Sequence, residues 1–184
     1  MGRDAELTSP CLERDGKLFI VDRGMVTAFD LVSGNVRWRL PGVDTTGLLF
    51  DERGVLYLNT TDAEHERLKY SQQIDLERKK TRQVILKVAP QSGKVLWRMR
   101  NVGRVAKATG KFLYSVEWAS GDESTRLNPN RMTPHIRIHR LDPDNGEVLW
   151  QYYQGREPLA CDFNRNTLQI LFKQEMQIVK FFSF

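Results

Sequence analysis

Few side chains in this sequence combine the types and spacings that chemistry requires. His65 stands between Glu64 and Glu66, and all three could ligate a metal ion. Adjacent residues point in different directions and no second cluster joins them, so a solvated loop is the expected setting. His135 and His139 are four residues apart in a strand-like run. That spacing puts them on one sheet face about 13 Å apart, too far to share a zinc ion. Cys11 and Cys161 form no CxxC pair and match no metal spacing. Ser-His-Asp, phosphate-loop and dinucleotide patterns are absent. The candidates left are contact residues: Trp118, and Arg78, Lys79, Lys80 and Arg82 in the densest basic run. Such cations could grip an acidic partner or a phosphate, and an indole offers a flat apolar surface with one donor. No residue can be assigned as catalytic, cofactor-binding or metal-binding.

Composition narrows the classes further. Of 184 residues, 40% are hydrophobic and 28% charged, the balance of a folded globular chain. The net charge of +5 is mild and interspersed; residues 61–83 hold six basic and five acidic side chains. A nucleic-acid binder concentrates its cations on one element, so nucleic acid is not an expected partner. No apolar run approaches the roughly 20 residues that span a bilayer. The start, Met1-Gly2-Arg3-Asp4-Ala5-Glu6, lacks the apolar core of a signal peptide.

The elements that must position these residues come from a repeat. Ala28-Phe29-Asp30-Leu31-Val32-Ser33-Gly34-Asn35-Val36-Arg37-Trp38 recurs as residues 87–97 and again as residues 140–150. Each copy has Gly four residues before Trp and Val two before it: Gly34 and Trp38, Gly93 and Trp97, Gly146 and Trp150. Around these copies lie four hairpin signals, centred on Gly16, Gly54, Gly110 and Asn166, where positive φ is needed. A short apolar segment precedes each turn and an alternating strand follows it. In the first three units come a third strand, a Ser-Gly or Asn-Gly turn and a fourth strand. Val36, Trp38 and Leu40 alternate there with Arg37 and Arg39, the pattern of a half-buried antiparallel strand. Cys11 and Cys161 fall at the same place in the repeat, which predicts a packed, apolar role for both.

Four antiparallel strands repeated in tandem predict an all-β chain of β-propeller blades. The expected single domain, 1–184, divides into blades near 5–40, 45–100, 104–153 and 157–184. The extra residues of blades two and three, 61–83 and 119–134, both fall between the second and third strands, so both loops should crowd one face. Loops held on a rigid scaffold are where binding usually sits. The fourth unit lacks a fourth strand and a Trp motif, and its apolar tail around Phe181–Phe184 would be an open edge. About four blades of a larger ring of seven or eight is the expectation. The partner at that edge would be another propeller half, upstream in the same protein or in a second chain.

The spacing Ala28-x-Asp30-x-x-x-Gly34-x-x-x-Trp38 resembles the tryptophan-docking motif of the propeller repeats named for pyrroloquinoline quinone (PQQ) enzymes. Asp142, Gly146 and Trp150 keep it with Arg140 in the Ala place; Gly93 and Trp97 keep it with Ala89 in the Asp place. The resemblance implies that each Trp packs on the neighbouring blade near the motif Gly, so Asp30, Gly34, Trp38, Gly93, Trp97, Asp142, Gly146 and Trp150 would dock blade to blade. It also implies a bacterial, periplasmic or secreted setting. The family's dehydrogenases add an acidic calcium site, a catalytic Asp and often a vicinal Cys pair. No adjacent cysteines and no Asp-Glu-Asn set can be assigned here, so no cofactor is expected. A non-catalytic scaffold or binding module, meeting a protein or small ligand through the 61–83 and 119–134 loops, is the expected function. The alternative is part of a PQQ-dependent or other cofactor-binding dehydrogenase-like enzyme whose site needs further blades.

Overall fold

The computed structural model describes residues 11–42, 45–61, 83–109, 111–119, 135–164 and 167–180, and every regular element among them is a β-strand. The first sheet runs β1 (Cys11–Arg14), β2 (Lys17–Asp22), β3 (Met25–Asp30), β4 (Val36–Pro41). The second is β5 (Gly47–Phe50), β6 (Leu56–Thr61), β7 (Gln83–Val88), β8 (Val95–Arg100). The third is β9 (Arg104–Thr109), β10 (Phe112–Ala119), β11 (His135–Leu141), β12 (Val148–Gln154). The fourth has three described strands, β13 (Ala160–Asn164), β14 (Thr167–Leu171) and β15 (Met176–Lys180). Each sheet is an antiparallel meander in chain order, as tight turns between short alternating strands dictate. At the first turn Asp15 and Gly16 both take positive φ, 50° and 69°, the backbone that a two-residue hairpin needs.

The sheets stack face to face and bury their alternating residues between neighbours. Phe19, Val26, Ala28 and Trp38 of the first blade pack on Leu48, Leu56, Leu58, Val84, Leu86 and Val88 of the second. The second blade's other face, with Tyr57 and Ile85, meets Val105, Leu113 and Leu141 of the third. Tyr114, Ile136 and Ile138 of the third then meet Phe163, Leu168, Ile170 and Phe172 of the fourth. A blade with both faces covered reads as a near-continuous apolar run, which is why β7 is Val84-Ile85-Leu86 rather than strictly alternating.

Two local expectations meet corrections. Cys11 is exposed, whereas Cys161 packs partly against the apolar cluster of blades three and four. Cys11 is the first residue of β1, which among the described residues pairs with β2 alone, so the repeat position alone does not bury it. Val36 and Val148 are 42% and 44% exposed despite standing in register with the buried side of their strands. Each opens an outermost strand just before a β-bulge. The bulges lie between Ala28 and Phe29, Lys87 and Val88, and Arg140 and Leu141 on the partner strands. One bulge therefore recurs beside the tryptophan in all three blades, and it re-aims the strand there.

Candidate functional site

The two long insertions leave adjacent blades from equivalent places. Thr61 pairs with Gln83 at the end of β6 and β7, and Ala119 pairs with His135 at the end of β10 and β11. Residues 62–82 and 120–134 lie outside the described residues, and with them Arg78, Lys79, Lys80, Arg82 and His65. Trp118 is placed by its backbone within β10, opposite Ile136.

Beside these strand ends the described residues include several polar contacts. Arg137 donates to Glu117 Oε2 at 3.0 Å. The Tyr153 ring lies 5.7 Å from the Arg137 guanidinium carbon and 5.8 Å from the His135 ring. Asn59, buried in β6, donates to the Val105 carbonyl at 3.0 Å and accepts from the Val105 amide at 2.7 Å. It thereby substitutes for a missing backbone partner between blades two and three. A cleft of about 20 Å³ beside it, bounded by Thr46, Thr61, Gln83 and Arg104, has room for about one water. His139 is buried with Nδ1 3.2 Å from the Val102 carbonyl. Burial pulls its pKa below the usual histidine value, against the pull of that hydrogen bond. Among the described residues no three His, Cys, Asp or Glu side chains gather closely enough to hold a metal ion.

The tryptophans have a different setting. Trp38 donates from Nε1 to the Pro90 carbonyl at 2.9 Å, and a Cβ built on Gly93 would lie 2.7 Å from Trp38 Cδ2. Trp97 donates to the Pro143 carbonyl at 3.1 Å and stands 3.4 Å from the corresponding point on Gly146. Each indole thus crosses from one blade to the next and covers a glycine; at Gly93 no room is left for a side chain, whereas at Gly146 a Cβ would stand in ordinary contact with the ring. Gly93 and Gly146 hold φ of +71° and +82°, the left-handed conformation in which L side chains are strained. Trp150 stacks on Tyr152 at 6.2 Å and packs partly between blades three and four.

Gly34 has the same backbone, φ +70°, yet nothing lies within 4 Å of its Cβ position. Its loop is held by Asp30, whose Oδ1 accepts from the Val32 amide, the Ser33 amide and the Ser33 hydroxyl, and whose Oδ2 accepts from Arg37. The Arg37 hydrogen bond, helped by Ser33, holds the Asp30 carboxyl well below the usual carboxylate range. Asp142 plays the same part for Asp144 at 2.7 Å.

Several contacts have no signal in a single sequence. Lys87, only 7% exposed, donates to the same Pro143 carbonyl as Trp97. Arg14 reaches the Asp51 carbonyl at 2.9 Å, and Lys107 donates to the Phe163 carbonyl. In each case a cation of one blade satisfies the turn or strand of the next. The pattern to look for is a Lys or Arg inside an otherwise apolar strand, as at Lys87 in Val84-Ile85-Leu86-Lys87-Val88.

No family model matches the sequence, and no curated protein matches it at a significant level. Solved structures do match. BamB from Moraxella catarrhalis aligns at a TM-score of 0.50 and 15% identity, covering 85% of this chain and 43% of that one. A europium-containing methanol dehydrogenase aligns at 0.50 and 15%, covering 78% and 24%. A quinohemoprotein alcohol dehydrogenase from Pseudomonas putida aligns at 0.50 and 14%, covering 87% and 30%. The chain therefore spans less than half the length of these proteins. At such identity the likeness concerns the fold, and the fold is that of β-propeller blades similar to those of BamB and these two dehydrogenases.

Proposed function

We propose that this chain is a non-catalytic scaffold segment of a larger propeller, with the 61–83 and 119–134 loops as its contact surface for a protein or small ligand. The observation that carries the reading is the pairing of Thr61 with Gln83 and Ala119 with His135. Both insertions are anchored at equivalent strand ends of adjacent blades, the usual placing of a binding surface. Arg78, Lys79, Lys80, Arg82 and Trp118 are the proposed contact residues. Asp30, Gly34, Trp38, Gly93, Trp97, Asp142, Gly146 and Trp150 are proposed to hold blade to blade. The C-terminal edge beyond Lys180 is proposed to pair with another propeller half, and the setting to be periplasmic or secreted. No helix among the described residues is long and apolar enough to cross a membrane.

Photo-crosslinking from positions 79 and 118 in the native host, with Lys94 on the opposite turns as control, tests the loop surface. Discrete adducts from 79 and 118 but not from 94 are expected. Equal labelling from all three, or none, contradicts the reading. The enzymatic alternative, in which these blades supply part of a quinone pocket, predicts a visible absorbance band after titration with PQQ and calcium. The scaffold reading predicts none.

A further inference from the structure

At the strand ends that carry the first insertion, blades two and three leave a small notch between them. Thr46, Thr61, Gln83 and Arg104 line its polar side, it has about 20 Å³ of room, and among the described residues no Asp or Glu borders it. Thr61 and Gln83 are the pair at which the sheet meets residues 62–82. Arg104 is exposed, and neither it nor the side chains of Thr46 and Gln83 bond another described residue. Arg14, Arg37, Arg53 and Arg137 show what arginine does here when it serves the fold: each bonds a carbonyl or a carboxylate. Arg104 does not.

The backbone that carries Arg104 is fixed on both sides. The Val102 carbonyl lies 3.2 Å from His139 Nδ1. Gly103, with φ of +75°, is pressed so closely on β10 that a Cβ there would collide with the Val116 carbonyl. Val105 is held through both its backbone groups by Asn59, at 3.0 and 2.7 Å. These contacts join the blades, and they also set one cation at a fixed place beside unengaged donors. A site whose backbone is already ordered loses less entropy when a ligand arrives.

We propose that the notch binds a carboxylate, an Asp or Glu side chain of a protein partner, with one oxygen entering beside Gln83 and Thr46 and the other meeting the Arg104 guanidinium. The inference rests on the loop-surface reading and names the chemistry of that contact. A guanidinium fork matches a planar carboxylate, and charge makes such bonds strong and directional. A phosphate fits less well, because room for about one water admits a single oxygen and leaves the rest of a tetrahedral group outside. Asp22 and Glu117 stand at the same strand ends and would repel a continuous polyanion, whereas one acidic side chain avoids them.

Nuclear magnetic resonance of the isotope-labelled chain tests it, with N-acetyl-glutamate methylamide as probe, its glutamine analogue as neutral control and inorganic phosphate as rival anion. Saturable shifts of the Arg104 Nε–H and the Gln83 side-chain amide are expected with the glutamate probe alone. Arg104→Gln should weaken the probe by about tenfold or more, the loss of one charge-assisted bond. Retained slow exchange of the Val105 amide would show that this variant keeps its fold. No saturable shift, equal shifts with the glutamine analogue, tighter binding of phosphate, or an affinity that survives Arg104→Gln overturns the proposal. So does an Arg104 Nε–H already protected from exchange in the free chain, since the chain would then fill its own notch. The loop-surface reading fails separately, through absent crosslinks from positions 79 and 118. Crosslinks that persist beside a silent titration overturn this inference alone.

Discussion

At the scale of single residues, Gly34 and Gly93, at equivalent positions, make forecasts of different size. Alanine at Gly34 bears only the strain of positive φ, roughly 1–2 kcal/mol. Alanine at Gly93 bears that strain and also drives a methyl to 2.7 Å from Trp38 Cδ2, adding roughly 1–3 kcal/mol. Urea midpoints of the two variants should therefore separate, with Gly93→Ala the less stable; coincident midpoints would remove the packing role of that glycine. Trp38→Ala or Trp97→Ala should cost roughly 3–5 kcal/mol by the same measurement. His139 supplies a pH forecast. Its folded pKa lies below the ordinary 6.5 because the ring is buried, so on acidification the unfolded chain takes up a proton that the folded chain refuses. Stability should fall as pH drops below about 6.5 and flatten below the folded value. His139→Gln should reduce that slope, read as urea midpoints across the pH range.

At the scale of elements, Asn59 is the most exacting join. Its side-chain amide bonds both the backbone N–H and the carbonyl of buried Val105, so Asn59→Leu would orphan them at a cost of about 1–3 kcal/mol. Hydrogen exchange at the Val105 amide should accelerate, while exchange in β2 and β3 should not. The strands themselves were legible in the sequence because turn chemistry and alternation are local: Gly16, Gly54 and the Ser-Gly and Asn-Gly turns fix the meanders without reference to anything distant. The bulge beside each tryptophan was not legible, since Arg37, Leu96 and Leu149 differ in chemistry and share only a register. Nor was Asn59, because its partner is 46 residues away and a polar residue in a strand carries no address. The exposure of Cys11 departs from the repeat for a related reason. Burial at a repeat position depends on the neighbour present there, not on the residue type.

At the scale of the whole molecule, a stack of blades has stability close to the sum of its blades and the joins between neighbours. The joins between blades one and two and between blades two and three are of one kind. An indole from one blade covers a glycine of the next and donates to a carbonyl beside it, with Lys87, Arg14 and Lys107 adding bonds to neighbouring carbonyls. That rigid frame would let the 61–83 and 119–134 loops vary without loss of the fold, so shortening residues 62–82 to a tight turn should leave the thermal midpoint within a few degrees while abolishing the crosslinks from position 118. The central claim, that blades are held through these indole–glycine contacts, is tested most directly by exchange of the tryptophan Nε1 protons. Trp38 and Trp97 should exchange far more slowly than a solvated indole, and Gly93→Ala should release Trp38 while leaving Trp97 protected. Exchange of both at the solvated rate in the unmodified chain would contradict the account.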